Sequence, residues 1–497
     1  MLENVMLGLQ NLFTGTHMLV CAVGLIAGIV FGALPGFSAT MGCAVMIPFT
    51  YSMEPSAALL LLSGVYCGGV YGGSIPAILL GIPGTPASAP TAFEGRALTQ
   101  QGKAGKALGI CTYGSALGGL VSSIALICAS PLLAKLAVMV GPPEQMMIAI
   151  FGLSVVCMLS PETFFKGLLV ACAALLLATI GQDPLFGFPR FTFGSLNLYG
   201  GVSLVPILIG LFSLPEVITM LESEDGKLVE SAKVGSLFFK LSELKGSLWN
   251  TIRSILIGIG IGIVPAAGPD IAAFLSYNQA KRGSKHPEEY SKGSTEGIIA
   301  SECANNAVTG GSLIPLLSLG IPGSAPAAIF LGAMYIHGLN PGASLFTKHP
   351  ESVYSLLVGF AFINIALYFV GLLFCKVAGK IVSIPKSVLS TLIVILATVG
   401  AYSISKSMFD VYQMYIAGIL GYIMTKNNFP VSPVALALLL GSMLEKAISQ
   451  TTVLYSQNFL MIFSPPMTIV FTALIVVSFA WPLVMTIIKK QKAKKGA

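Results

Sequence analysis

Apolar residues in this chain come in long runs. Met18–Leu34, Leu108–Ala129, Val353–Cys375, Val388–Ala401 and Met467–Ile488 are nearly free of charge, and a run of about 20 such residues crosses a bilayer as a helix. Ahead of them, Leu2, Val5, Met6, Leu9, Leu12 and Phe13 recur at helical spacing with no Lys or Arg in front. That pattern predicts a short helix lying in the membrane interface rather than a cleaved leader. Only 9% of residues are charged, against roughly 25% in soluble domains. With 55% apolar residues and a mean hydropathy of +0.86, there is more apolar surface than one soluble core buries. The expectation is an all-α polytopic membrane protein with about 11–12 transmembrane segments. The basic tail Lys489, Lys490, Lys492, Lys494 and Lys495 reads as a cytoplasmic anchor rather than a nucleic-acid surface.

The chain also repeats itself. Residues 72–86 read GGSIPAILLGIPGTP and residues 310–326 read GGSLIPLLSLGIPGSAP, offset by 238 at Gly-Gly-Ser and by 239 at Gly-Ile-Pro-Gly. GALPGFSAT (32–40) is echoed by GIVPAAGPD (262–270), and GPPEQMMIAIFGLSVV (141–156) by SIPKSVLSTLIVILATV (383–399). The expected organisation is a first repeat over 1–221, a cytoplasmic linker over 222–250, a second repeat over 251–450, and a final transmembrane helix with its basic tail over 451–497. Charge gives the handedness. The loop after the first Gly-Ile-Pro-Gly and the loop 281–292 before the second together hold seven basic residues, among them Arg96, Lys103, Lys281 and Arg282. Their counterparts, 336–352 and 50–57, hold only Lys348. Basic loops stay in the cytoplasm, so the repeats are expected to be inverted. Only 27 residues separate Arg253 from Lys281, where two crossings need about 40. A re-entrant hairpin turning at 265–269 is expected, mirrored by Met18–Met53 turning near Pro35-Gly36.

Candidate chemistry follows from the interruptions. Glycine and proline weaken a helix, and non-helical backbone at membrane depth is tolerated where it is buried or lines a cavity. Paired breaks at matching positions point to a transporter's binding site; kinked helices with glycines for close packing are the plain alternative. The candidate substrate-binding residues are Pro35, Gly36 and Ser38 at the first turn. Gly72, Gly73, Ser74, Gly81, Pro83, Gly84, Thr85 and Pro86 belong to the first break. Asn305, Asn306, Gly310, Gly311, Ser312, Gly320, Pro322, Gly323 and Ser324 belong to the second. Broken helices offer free N–H groups to a carboxylate and unwound carbonyls to Na⁺. Asp270 and Glu302 are the candidate ion-coupling carboxylates, with helix capping the alternative for Asp270 and an interfacial position for Glu302. No catalytic constellation, cofactor motif, phosphate loop or zinc motif stands out; beyond a possible Na⁺ site no metal is expected. The nine cysteines form no CxxC pair and read as small buried hydrophobes.

GALPGFSAT, YGGSIPAILLGIPGTPASAPTAFEG, GPDIAAFLSYNQAKR and SECANNAVTGGSLIPLLSLGIPGSAP resemble the large subunit of the tripartite tricarboxylate transporters, the TctA family. The resemblance implies uptake of carboxylates such as citrate across a bacterial inner membrane, driven by an ion gradient. It also implies a small four-helix membrane subunit and a periplasmic solute-binding protein. The chain departs from the family in having Gly81 where members often have Asn, and Pro35-Gly36-Phe37-Ser38 in place of a glycine-rich turn. An uncoupled facilitator or channel is the nearest rival, and an intramembrane enzyme a more distant one.

Overall fold

The structure, a computed structural model, describes residues 2–34, 37–137, 140–158, 164–183, 187–222, 234–240, 247–265, 267–378 and 386–495. Among these the chain is largely helical, with irregular stretches at 191–195 and 234–240 and a two-residue ladder pairing 181–182 with 189–190. Six helical stretches among the described residues are long and apolar enough to cross a membrane: Gly15–Ala33, Pro55–Leu80, Ala104–Lys135, Leu204–Glu222, Pro350–Cys375 and Ser432–Leu454. Helix α1 (Leu2–Leu12) forms where the amphipathic spacing predicts it. One side of it packs on α16 (Pro350–Cys375): a Cβ on Gly8 would sit 2.5 Å from the Tyr354 carbonyl, and Asn11 Nδ2 donates to Ser355 Oγ at 2.8 Å.

The same order of elements occurs twice. In the first half, α2 (Gly15–Ala33) and α3 (Ala39–Thr50) are followed by α4 (Pro55–Gly72), α5 (Ser74–Leu80), α6 (Ala89–Gln100) and α7 (Ala104–Ala137). In the second, α11 (Leu248–Ile263) and α12 (Gly268–Gly283) are followed by α13 (Thr295–Leu319), α14 (Ala325–Ile336), α15 (Ala343–Lys348) and α16. Helices α3 and α12 have 12 and 16 residues, or about 18 and 24 Å at 1.5 Å per residue, short of a hydrocarbon core about 30 Å thick. The first helix of each pair lies on the long helix through glycines. A Cβ on Gly28 would meet Val65 Cα at 2.8 Å, and one on Gly258 would meet the Ala307 side chain at 2.7 Å. Backbones approach this closely only where side chains are absent.

Two compact units divide the chain differently from the repeat: residues 1–134 with 216–404, and residues 135–215 with 405–497. Each half of the sequence therefore contributes to both units. The first unit contains both breaks, and its core includes Leu34, Phe37, Met41, Val217 and Ile393. Of residues 222–250, 234–240 lie along α7 in this unit and 248–250 belong to α11: a Cβ on Gly105 would sit 2.7 Å from the Gly235 carbonyl, and Phe239 meets Tyr113 edge to face. The second unit contains α8 (Pro142–Met158), α9 (Phe164–Ala178), α18 (Met408–Lys426), α19 (Ser432–Leu454) and α20 (Pro466–Lys495). Within it Arg190 bridges Asp183 at 3.6 Å and Glu445 at 2.5 Å, and Ser203 Oγ donates to Asp410 at 2.5 Å.

Candidate substrate site

The interruptions are narrower than glycine and proline content suggests. α13 stays helical through Gly310, Gly311, Ser312 and Pro315 to Leu319, and α4–α5 carry the chain to Leu80. Tight packing offsets the poor helix propensity. A Cβ on Gly310 would lie 2.6 Å from Ser122 Oγ, one on Gly311 2.8 Å from the Ile259 carbonyl, and one on Gly72 2.5 Å from the Ile29 carbonyl. The true breaks are Gly81–Thr85 and Gly320–Ser324. Both open on a left-handed glycine, with φ 75° at Gly81 and 74° at Gly320, a conformation that disfavours a Cβ. Both close on an extended hydroxyl residue that starts the next helical segment, Thr85 and Ser324.

Each break folds back on its own helix and on its own hairpin. The Gly84 N–H donates to the Gly73 carbonyl at 2.9 Å, and the Gly323 N–H to the Ser312 carbonyl at 3.4 Å. A Cβ on Gly84 would strike the Gly32 carbonyl, and one on Gly323 the Gly262 carbonyl. The Gly268 N–H also donates to the Gly323 carbonyl at 3.3 Å. These contacts set one register for the two halves. Val65 matches Ala304, Gly73 matches Ser312 and Thr85 matches Ser324, a constant offset of 239. The identity of the two Gly-Gly-Ser strings suggests 238 there, one residue off. What each backbone packs against decides the equivalence, and in this register Tyr66 matches Asn305.

The halves are tied together by crossed polar contacts. Glu302, fully buried on α13, accepts from Ser74 Oγ at 2.6 Å, Thr91 Oγ1 at 2.5 Å and Ser115 Oγ at 2.8 Å, all from the first half. Tyr66 on α4 shares hydrogen bonds with Ser312 Oγ at 3.0 Å and Ser324 Oγ at 2.7 Å in the second. Tyr66 is thus level with Ser312, and Ser74 with Glu302, so the matching helices α4 and α13 run in opposite directions across their contact. A third tie lies at the loops. Glu94 on α6, fully buried, accepts from Tyr277 Oη at 2.6 Å and from the N–H groups of Ser291, Gly293 and Ser294 at 2.6, 2.9 and 2.8 Å. Gln101 Nε2 donates to the Lys292 carbonyl at 2.8 Å. The two basic loops of the sequence therefore touch.

Against this well-paired background some polar groups stand unpaired. Neither Asn305 Oδ1 nor Asn305 Nδ2 has a hydrogen-bond partner, although the residue is fully buried; Asn306 Oδ1 and Thr85 Oγ1 are also unpaired. The Ser88 N–H goes to the Thr85 carbonyl, leaving the Thr85 hydroxyl uncapped. Seven residues are nearly two turns of helix, so Asn305 projects from α13 on the same side as Ser312 and one turn from Glu302. A buried polar side chain is nearly always hydrogen-bonded, and an exception calls for an explanation. Asn306 Nδ2 makes a 3.2 Å bond to the Glu302 carbonyl. Among the described residues no three His, Cys, Asp or Glu side chains gather as a transition-metal site requires.

Residues 18–436 match the tripartite tricarboxylate transporter TctA family. The chain belongs to that family. An uncharacterized 52.8 kDa protein in the TAR-I ttuC' 3' region of Agrobacterium vitis is 35% identical over 405 residues, 82% of this chain and 81% of that protein. An uncharacterized protein in the TAR-II ttuC' 3' region of the same organism is 36% identical over 145 residues, 29% of this chain and 60% of that one. No solved structure matches.

The family match takes in both breaks and the crossed contacts, and stops short of α20. Of the residues singled out from the sequence, Pro35 and Gly36 lie outside the described residues. Ser38 is half-buried and caps α3, accepting from the Met41 N–H at 3.1 Å. Asp270 is exposed in the first turn of α12, apart from the buried Glu302. Pro83 is half-buried and Pro86 exposed at the first break, whereas Gly320, Pro322, Gly323 and Ser324 are all buried. Tyr66, Thr91, Ser115 and Glu94 were not singled out. Tyr66 reads as an ordinary core aromatic until the halves are set in the packing register, and Glu94 as one more loop charge.

Proposed function

We propose that this chain is the large membrane subunit of a binding-protein-dependent secondary transporter of the bacterial inner membrane, importing small di- or tricarboxylate anions with a coupling cation. The observation that carries the reading is the unpaired Asn305 amide, buried on α13 one turn from Glu302 in a fold whose two halves carry matching breaks. An N–H donor with no protein partner at such a site is what an incoming carboxylate satisfies. The opposite directions of α4 and α13 support inverted repeats, and the contact between loops 93–106 and 281–292 supports their lying on one side, the cytoplasmic one by charge. The lengths of α3 and α12 support re-entrant hairpins.

Coupling follows from charge. Glu302 lies about one turn from Asn305, and like unit charges about 8 Å apart at an effective dielectric of about 20 repel by about 2 kcal/mol. An anion enters beside Glu302 favourably when H⁺ or Na⁺ enters with it. A site with few fixed charges has modest affinity on its own, which suits delivery by a periplasmic binding protein and a complex with a small four-helix subunit. The test is reconstitution of the three components in liposomes. Citrate or a dicarboxylate should accumulate above equilibrium only with an imposed Na⁺ or H⁺ gradient and only with the binding protein present. Equilibration without accumulation would identify a facilitator, and no uptake of any carboxylate would reject the reading.

A further inference from the structure

Residues 234–240 form a strap across two helices of the first unit. Three successive carbonyls of the strap lie on glycines of α7. A Cβ on Gly105 would strike the Ser236 carbonyl and sit 2.7 Å from the Gly235 oxygen, and one on Gly109 would strike the Leu237 carbonyl. Phe239 of the strap meets Tyr113 of α7 edge to face, 5.7 Å between centroids, and Tyr113 meets Tyr368 of α16 at 6.5 Å. The strap is thereby held at the seam between α7 and the last turns of α16. A cavity of about 250 Å³ lies there, lined by residues 234–238 and Lys376.

The lining specifies an anion. Its side chains carry one charge, the Lys376 ammonium, one hydroxyl, that of Ser236, and no carboxylate. With carbonyls 235–237 turned onto α7, the N–H groups of Gly235, Ser236 and Leu237 have no partner among the described residues. Ser236 Oγ accepts from the Phe238 N–H at 3.3 Å, which leaves its own proton to donate. An ammonium, a hydroxyl and successive free N–H groups are the partners of a phosphate. The volume falls below the roughly 300–1,000 Å³ that encloses a whole small molecule, so the remainder of the ligand lies outside.

The surface of α16 says what that remainder is. Ile365, Phe369, Leu373 and Val377 recur every four residues along one face and are all exposed, Phe369 at 62% and Leu373 at 64%. The stripe ends beside Lys376. From Ile365 to Val377 is about 18 Å along a helix, against about 15 Å for one leaflet of the hydrocarbon core. Phe238 adds a ring, 92% exposed, from the strap.

We infer that the cavity between the strap and Lys376 binds the phosphate of an anionic phospholipid, whose acyl chain lies on the stripe of α16. This site goes beyond the transport reading and takes from it only the cytoplasmic placement of residues 93–106, which puts the start of α7 and the strap in the leaflet where anionic lipids gather.

The full chain is placed in nanodiscs of phosphatidylcholine with rising fractions of phosphatidylglycerol, and hydrogen exchange is followed at the amides of 235–237. Exchange should slow by about tenfold or more at saturation, since these N–H groups gain a charged acceptor. Lys376→Gln should raise the fraction needed for half protection by about tenfold or more, and Lys376→Arg should hold it within about threefold. Lys285→Gln, which removes an exposed charge from a loop assigned to the same side, should shift it by less than about twofold. Diffuse attraction to an anionic surface would instead give about fivefold for either lysine. Lys376 is exposed, so Lys376→Gln should unfold at the parent temperature in phosphatidylcholine alone. No slowing with phosphatidylglycerol, equal shifts for Lys376→Gln and Lys285→Gln, or earlier unfolding of Lys376→Gln would each overturn the inference. Equal protection by millimolar inorganic phosphate in phosphatidylcholine would overturn it in favour of a free-phosphate site. None of these outcomes touches carboxylate uptake, which the liposome experiment above tests by itself.

Discussion

Glu94→Gln isolates the tie between the halves at the loops. Oε1 of Glu94 takes the Tyr277 phenol and the Ser291 N–H, and Oε2 takes the N–H groups of Gly293 and Ser294. Glutamine supplies one oxygen. With that oxygen in the Oε2 position it keeps the N–H groups of Gly293 and Ser294, the Tyr277 hydroxyl turns to accept from the new NH₂, and the Ser291 N–H is left facing an NH₂ group. A hydrogen bond to a charged acceptor contributes about 1.5–3 kcal/mol, and the 291–294 segment loses about that much. The segment is poorly placed to hold its shape unaided, because Ser291 (φ 66°) and Gly293 (φ 108°) both occupy left-handed backbone, which is unfavourable for a serine. At about 1.4 kcal/mol per tenfold, local opening should become roughly 10 to 10² times more frequent. Hydrogen exchange on the full chain in nanodiscs reads this directly at the amides of 291, 293 and 294. Exchange there no faster than in the parent protein would refute the assignment of Glu94 as the acceptor that holds the loop.

Three further outcomes are expected. Glu302→Gln should insert and fold, since the hydroxyls of Ser74, Thr91 and Ser115 can rotate to pair with an amide, yet substrate should no longer accumulate against a gradient; normal gradient-driven accumulation would return Glu302 to a purely structural role. Gly84→Ala and Gly323→Ala should each reduce folded protein in the membrane, because the new Cβ meets the Gly32 or Gly262 carbonyl and lies 2.8 Å from Gly73 Cα or 2.9 Å from Ser312 Cα, and overpacking of this kind costs about 1–3 kcal/mol; wild-type yield and thermal stability in both would count against the close approach. Single cysteines at 101 and 292, in a cysteine-free background, should resist impermeant thiol reagents from the periplasm and cross-link to each other with a short bifunctional reagent, given the 2.8 Å contact between these residues; ready periplasmic labelling of both would reject the cytoplasmic placement.

Much of the fold was legible because its causes are local. Charge-poor runs mark the spans, and the Gly-Ile-Pro-Gly strings mark the breaks, since a glycine in left-handed backbone followed by proline ends a helix in either half. What was misjudged is the extent of the interruption. Glycine and proline propensities are local, whereas the contacts that keep Gly310 and Gly311 helical come from Ser122, Ile259 and Gly262, distant in sequence or on another helix. The one-residue error in register has the same origin, because a string identity ignores what each carbonyl packs against. Asp270 and Glu302 look alike as carboxylates in apolar surroundings. Only the tertiary structure separates the exposed first-turn residue from the buried one with three hydroxyl donors.

Duplication and function pull on these breaks in opposite directions. A repeated scaffold supplies two interruptions, and left symmetric it would give two equal half-sites or two equal seals. The second break is satisfied internally by Tyr66 and gains nothing from a ligand. The first leaves the Thr85 hydroxyl unpaired, Asn305 at the position matching Tyr66 has no partner either, and an unmade buried hydrogen bond costs about 1–3 kcal/mol. That unfavourable energy in the empty protein is released when a ligand supplies the missing partners, which widens the contrast between empty and loaded states. A transporter needs that contrast more than it needs tight binding, because only a ligand that treats the two states differently can shift the equilibrium between them. Sites where local rules are broken without repair are where such function is expected to reside, and Asn305, with neither amide atom paired, is such a site among the described residues.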